Sequence, residues 1–237
     1  MSFVPSLLAR LQRLIETSYD WKTGIGDLSP YLVGDEGYRV LYEGREILEQ
    51  LPGSDTSPRT LVTCRGGEVR LGVYYPDALI RHLEERNPLR SLGEENIVSF
   101  SLLVEELDHL LMLAWSLRHK RPIRLVELEF HANITKYLVL AHFLGRTGHR
   151  SRLTTVQRHW LHSRLLLDVG DDLPDPHRER YRTAAVLAQR FLRQLDCLPA
   201  DGRLIALRRF ARRTWGSQRY YLEWADPSAR SGFLLAV

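Results

Sequence analysis

The most apolar stretch of this sequence carries an unusual number of ionisable side chains for such an element. Between residues 95 and 118 stand Glu105, Glu106, Asp108 and His109; between 123 and 144 stand Glu127, Glu129, His131, Asn133, Lys136 and His142. Glu105 and His109 are four apart, as are Glu127 and His131, so on helices each pair shares a face. Imidazoles and carboxylates projecting between two paired helices are the ingredients of a zinc or non-haem iron centre. The candidate ligands are Glu105, Glu106, His109, Glu127 and His131. A turn centred near residue 120 sets His109 level with His131 and Glu106 near Lys136.

The same residues admit two other readings. Glu106, Glu129, Asn133 and Lys136 would make a buried, mutually satisfied polar network. Glu105, Asp108, His109 and Ser116 form a stripe opposite the apolar one, the pattern of a solvated face. Metal-free acid–base catalysis is a further alternative for ionisable groups in an apolar setting.

Helical bundles build carboxylate centres from inward glutamates and Glu-x-x-His pairs. Glu106-Leu-Asp-His109 has that spacing and resembles the ferritin-like pattern there. The second helix departs from it, because Glu127 and His131 are four apart. Two further glutamate-bearing helices are not evident. There is no HExxH or HxxEH motif. His149, His159 and His162 are a second histidine group, with His159 and His162 three apart on one helix but no third ligand in sight. No serine or cysteine sits in a nucleophile-elbow or papain-like setting. The glycine-rich segment from Gly24 to Gly37 lacks the preceding strand and following lysine of a phosphate loop, and reads as a structured loop.

Charge separates the two halves of the chain. Residues 145–225 hold sixteen arginines, no lysine and eight acids, whereas the whole chain carries only +4. Arg203, Arg208, Arg209, Arg212, Arg213 and Arg219 interleave with Phe210, Trp215, Tyr220 and Tyr221, a combination that suits phosphates and stacked bases or an acidic protein surface. The apolar residues Leu204, Leu207, Phe210 and Trp215 also make an ordinary core stripe. No helix-turn-helix, zinc-finger, RRM or KH signature accompanies them.

The elements that must position these groups follow from periodicity. Val4 to Thr17 is an amphipathic helix, and a second runs from about Glu36 to Gln50. Thr60 to Tyr75 alternates as a β-hairpin around Arg65-Gly66-Gly67-Glu68. A short helix follows from Pro76 to Arg86. Glu95–Arg118 and Ile123–Leu144 are two long helices broken at His119–Pro122, an antiparallel hairpin whose second member is apolar nearly all round and so forms the spine. Helical patterns resume at Thr154–Leu167, Pro176–Leu195 and Asp201–Trp224, and Phe233, Leu234 and Leu235 are set to dock a tail.

The fold expected is mainly α: a multi-helix globular domain around the antiparallel hairpin at 95–144, with a small β-hairpin at 60–75. Residues 1–145 form the N-terminal region, and 146–237 a basic helical region packed on the same core. Hydrophobic residues at 44% and charged residues at 26% fit a globular protein. No apolar run reaches the roughly 20 residues of a membrane span, so no membrane insertion is expected. Two widely spaced cysteines and no signal-peptide pattern favour the cytoplasm. Because no catalytic motif is complete, the leading expectation is a non-enzymatic binding or assembly protein, whose basic C-terminal helices contact an acidic protein or nucleic acid. The alternative is a metal-dependent enzyme with a Glu/His site inside the hairpin.

Overall fold

The chain folds around α4 (Ile97–Arg118) and α5 (Leu125–Thr147), two helices long enough to cross the whole core. The computed structural model describes residues 3–42, 57–147, 153–167 and 177–224. The turn between α4 and α5 is a Schellman closure. Lys120 adopts the left-handed region (φ 51), and the amides of Lys120 and Arg121 return to the carbonyls of Leu117 and Ser116. Pro122 then prevents continuation. α5 runs on to Thr147, three residues beyond the end at Leu144 that the sequence pattern predicts.

Around this pair lie α1 (Phe3–Tyr19), α2 (Asp35–Tyr42), α3 (Asp77–Glu85), α6 (Thr155–His162), α7 (His177–Asp196), α8 (Ala200–Ala211) and α9 (Trp215–Trp224). α1 buries Leu7, Leu8, Leu11 and Ile15 against them, the stripe its periodicity requires. α6 starts in a capping box: Thr154 Oγ1 accepts from the Gln157 amide, and Gln157 accepts from that of Thr154. Its last turn widens into a π-helical turn over Ser163–Leu167. α7 packs along α5 and covers it, so residues 128–137 of α5 are buried throughout. That is the physical reason its apolar residues occur on nearly every side. No helix among the described residues is long and apolar enough to cross a membrane.

The β-hairpin is β2 (Arg59–Arg65) and β3 (Glu68–Tyr74), turning through Gly66 and Gly67, both at positive φ. A third strand, β1 (Leu32–Val33), adds in parallel to β3, with Leu32 opposite Val73 and Val33 opposite Tyr74. Two residues show no alternation, so only the docked chain reveals it. The sheet order is β1-β3-β2. The sheet sits on α4, where Tyr75 donates from its hydroxyl to the Leu103 carbonyl at 2.8 Å.

One expectation is amended and three lie outside the described residues. The segment 201–224 is two helices, because the chain turns at residues 212–214 and Thr214 Oγ1 accepts the Ser217 amide to start α9. The second helix is described to Tyr42 only. Its proposed continuation to Gln50, His149, and the tail with Phe233, Leu234 and Leu235 lie outside the described residues.

Candidate metal centre

Side chains on a helix advance by about 100° per residue. Asp108 and His109 therefore leave α4 toward opposite sides of its seam with α5, and two separate polar clusters result. On α5, Glu129 and Lys136 are seven apart and share one side. His131 and Thr135 lie on the other, with His131 about 200° around the axis from Glu129.

The first cluster holds the candidate centre. Among the described residues, Glu105, His109 and Glu129 bring one ligand atom each to within 4.8 Å of one another. The His109 ring bridges two carboxylates: Nδ1 lies 3.5 Å from Glu106 Oε2, and Nε2 lies 3.8 Å from Glu129 Oε2. Nε2 is buried without a hydrogen-bond partner among the described residues. Glu106 is held in turn by β2, since Thr60 Oγ1 donates to its Oε2 at 2.7 Å. Lys136 Nζ lies 2.8 Å from Glu105 Oε2, and Arg180 on α7 lies 3.7 Å from Glu129 Oε1.

Three carboxylates against two permanent cations leave one formal negative charge in a buried site, so a further positive charge is called for. A proton on His109 supplies it. Burial by itself lowers this pKa, but the hydrogen bond to Glu106 and the fields of Glu106, Glu129 and Glu105 outweigh burial and raise it to about 10. Burial raises Glu129, opposed first by His109; Glu105 is lowered, because the fields of Lys136 and His109 outweigh its burial. Burial also pushes the Tyr181 phenol far up, helped by Glu129 and Glu105.

A divalent metal would answer the same charge demand. Bonds of about 2.0–2.1 Å put tetrahedral ligand atoms about 3.4 Å apart, so the three ligands must close by roughly an ångström. The Glu106–His109 contact has the form of an outer carboxylate that fixes a metal-binding imidazole, with Nδ1 toward the carboxylate and Nε2 toward the ion. Arg180 and Lys136 each engage one oxygen of a ligand carboxylate.

The second cluster is Asp108, His131, Thr135 and Tyr19. His131 Nδ1 is 2.8 Å from Asp108 Oδ2, Thr135 Oγ1 donates to Asp108 Oδ1 at 2.7 Å, and the Tyr19 hydroxyl is 2.9 Å from Thr135 Oγ1. Asp108 is fully buried, at 0% exposure. Asp20 ends α1 in the left-handed region (φ 57) and turns Trp21 back onto Tyr19, 4.8 Å away, and the His131 ring packs against both, at 4.6 Å from Trp21 and 4.2 Å from Tyr19.

These placements redistribute the sequence candidates. Glu105, Glu106 and His109 come together, with Glu129 and Lys136 from the expected polar network. The structure does not bring Glu127 and His131 to that centre. Glu127 pairs with Arg121, which also donates to the carbonyls of Arg213 and Ala211 and ties the hairpin turn to α8 and α9. Lys136 pairs with Glu105 rather than lying by Glu106, and His109 faces Glu129 rather than His131. Asn133 is buried on α5. The stripe Glu105, Asp108, His109 and Ser116, also read as a solvated face, is buried or nearly so. Thr60 and Arg180 were not found by sequence reasoning: each arrives from another element, and a lone threonine or arginine carries no signal. His159 and His162 diverge, since His162 packs on the Tyr137 ring at 4.6 Å while His159 is exposed.

The basic C-terminal residues are largely turned to the protein itself. Arg208 donates to the carbonyls of Thr17 and Ser18, Arg212 pairs with Asp20, Arg203 reaches Asp196, and Arg219 reaches Glu223. Arg213 lies over the Tyr221 ring, and Arg209 is exposed. Comparison of the chain with protein-family models, curated proteins and solved structures finds no match.

Proposed function

We propose that this protein is a metal-dependent enzyme whose zinc or iron ion is held between α4 and α5 by Glu105, Glu129 and the Nε2 of His109. The observation that carries this reading is the convergence of those three ligand atoms within 4.8 Å in a buried site, with the imidazole already aimed by Glu106. Two carboxylates and one imidazole suit zinc or iron rather than a thiolate-preferring ion. Three protein ligands leave a coordination position for water or substrate, the form catalytic sites take. Bound there, the metal would act as a Lewis acid toward that fourth ligand. Lys136 and Arg180 orient the ligand carboxylates and offset their charge.

The reading of α8 and α9 as a contact surface for nucleic acid or an acidic protein draws less support. Four of its six arginines have carbonyl or carboxylate partners within the chain.

Elemental analysis of protein grown with added zinc or iron tests the proposal. Near-stoichiometric metal is expected in the wild type, with loss in His109→Ala and in Glu129→Gln. His131→Ala should keep its metal, because His131 belongs to the other cluster. Circular dichroism melts establish that each variant is folded. Folded wild type that holds no metal after growth, and none after reconstitution with Zn²⁺ or Fe²⁺, refutes the proposal.

A further inference from the structure

A cavity of about 270 Å³ opens between α1, α5, α7 and α8, away from the proposed metal centre. Its apolar wall includes Leu14 and Ile15 of α1, Leu138 of α5, Leu192 of α7, and Leu204 and Leu207 of α8. An apolar cavity of about 150 Å³ takes up benzene, so this one has room for a body of about ten heavy atoms.

Tyr19 and Thr135 also line the cavity, and they belong to the Asp108 cluster. The direction of that hydrogen-bond chain can be assigned. Thr135 donates its single hydroxyl hydrogen to Asp108 Oδ1 at 2.7 Å. Tyr19 must then be the donor in its 2.9 Å bond to Thr135 Oγ1. Its phenol oxygen keeps only acceptor capacity, and Asp108 polarises the chain in that direction. Arg203, the cation in the wall, has its charge offset by Asp196: Nε and Nη2 donate to the carbonyls of Leu198 and Asp196 at 2.9 and 3.1 Å, and Nη1 lies 3.8 Å from Asp196 Oδ1. Ser18, Tyr137 and His142 supply the other polar groups of the wall, none of them a carboxylate's counter-charge, and a ligand carboxylate at Tyr19 would meet an acceptor. A hydroxyl would find an acceptor.

We infer that the cavity binds a neutral apolar molecule bearing one hydroxyl, which donates its hydrogen to the phenol oxygen of Tyr19. The site is independent of any metal in the hairpin.

Isothermal titration of the full chain with three probes tests this: 1-nonanol, its isomer 1-methoxyoctane, which has no donor, and nonanoate. Saturable binding of 1-nonanol is expected, with the ether and the acid each about tenfold weaker, the worth of one hydrogen bond. Tyr19→Phe should weaken 1-nonanol by about tenfold and leave the ether unchanged. Leu204→Trp should block all three probes, and because Leu204 is 40% exposed the fold tolerates the change. Binding of the ether or nonanoate as tight as that of 1-nonanol overturns the inference. So does the absence of saturable 1-nonanol binding to the folded wild type. The probe comparison needs no variant, so it stands even if Tyr19→Phe fails to fold.

Discussion

In the metal-free protein, His109 should make stability fall between pH 6 and pH 10. Its pKa in the fold is about 10 against an ordinary 6.5, because Glu106, Glu129 and Glu105 surround a ring that burial alone would have neutralised. The folded chain therefore holds this proton more tightly than the unfolded chain. The contribution is complete below pH 6.5 and disappears as the pH rises through 10. Its size is at most about 5 kcal/mol at pH 6, about 3 kcal/mol at pH 8 and under 1 kcal/mol at pH 10. Urea unfolding with a chelator present, at those three pH values, measures it. His109→Gln, which cannot titrate, removes the contributions of every other group by subtraction. The stability gap between wild type and variant should narrow by about 4 kcal/mol from pH 6 to pH 10. Parallel profiles would refute the reasoning. A gap that widens with pH would mean that the folded state prefers the neutral ring.

Zinc must displace the same proton, so its apparent affinity should rise about tenfold per pH unit between pH 7 and 9, with proton release visible in titrations in two buffers of different ionisation enthalpy. Lys136→Met leaves Glu105 buried without its cation and should cost about 3–5 kcal/mol in urea unfolding, whereas a cost under 1 kcal/mol would show that the pair is water-exposed. Thr135→Val breaks the chain at its middle, leaving Tyr19 without an acceptor and Asp108 short of a donor. It should cost about 1–3 kcal/mol, and Thr135→Ser, which keeps the hydroxyl, should cost less than half as much.

The hairpin was legible because its signal is local. Apolar residues recur at helical spacing on both sides of a four-residue break, and Pro122 marks the break. The chemistry within it was half legible. Spacing places Glu105 and His109 on one face of α4 and Glu127 and His131 on one face of α5. It does not say which faces meet. The partners across the seam are Glu129 for His109 and Asp108 for His131, a rotation of α5 that the hydrophobic pattern cannot set, because apolar residues occur on nearly every side of α5 and give it no preferred one. The long stretch 201–224 reads as one helix for a related reason. The apolar stripe continues across residues 212–214, while the break is set by contacts of the turn: Arg121 donates to the carbonyls of Ala211 and Arg213, and Gln218 to that of Phe210.

The amino-acid sequence by itself determined most of the helices, the β-hairpin and the shared face of Glu105 and His109 on α4, since each depends on neighbours within a few turns. The tertiary structure alone decided the rotation of α5 against α4, the parallel strand at Leu32–Val33, and the arrival of Thr60 and Arg180 at the site. Those contacts join residues dozens of positions apart. Their energies come from packing and charge pairing in three dimensions, and no periodicity along the chain encodes them.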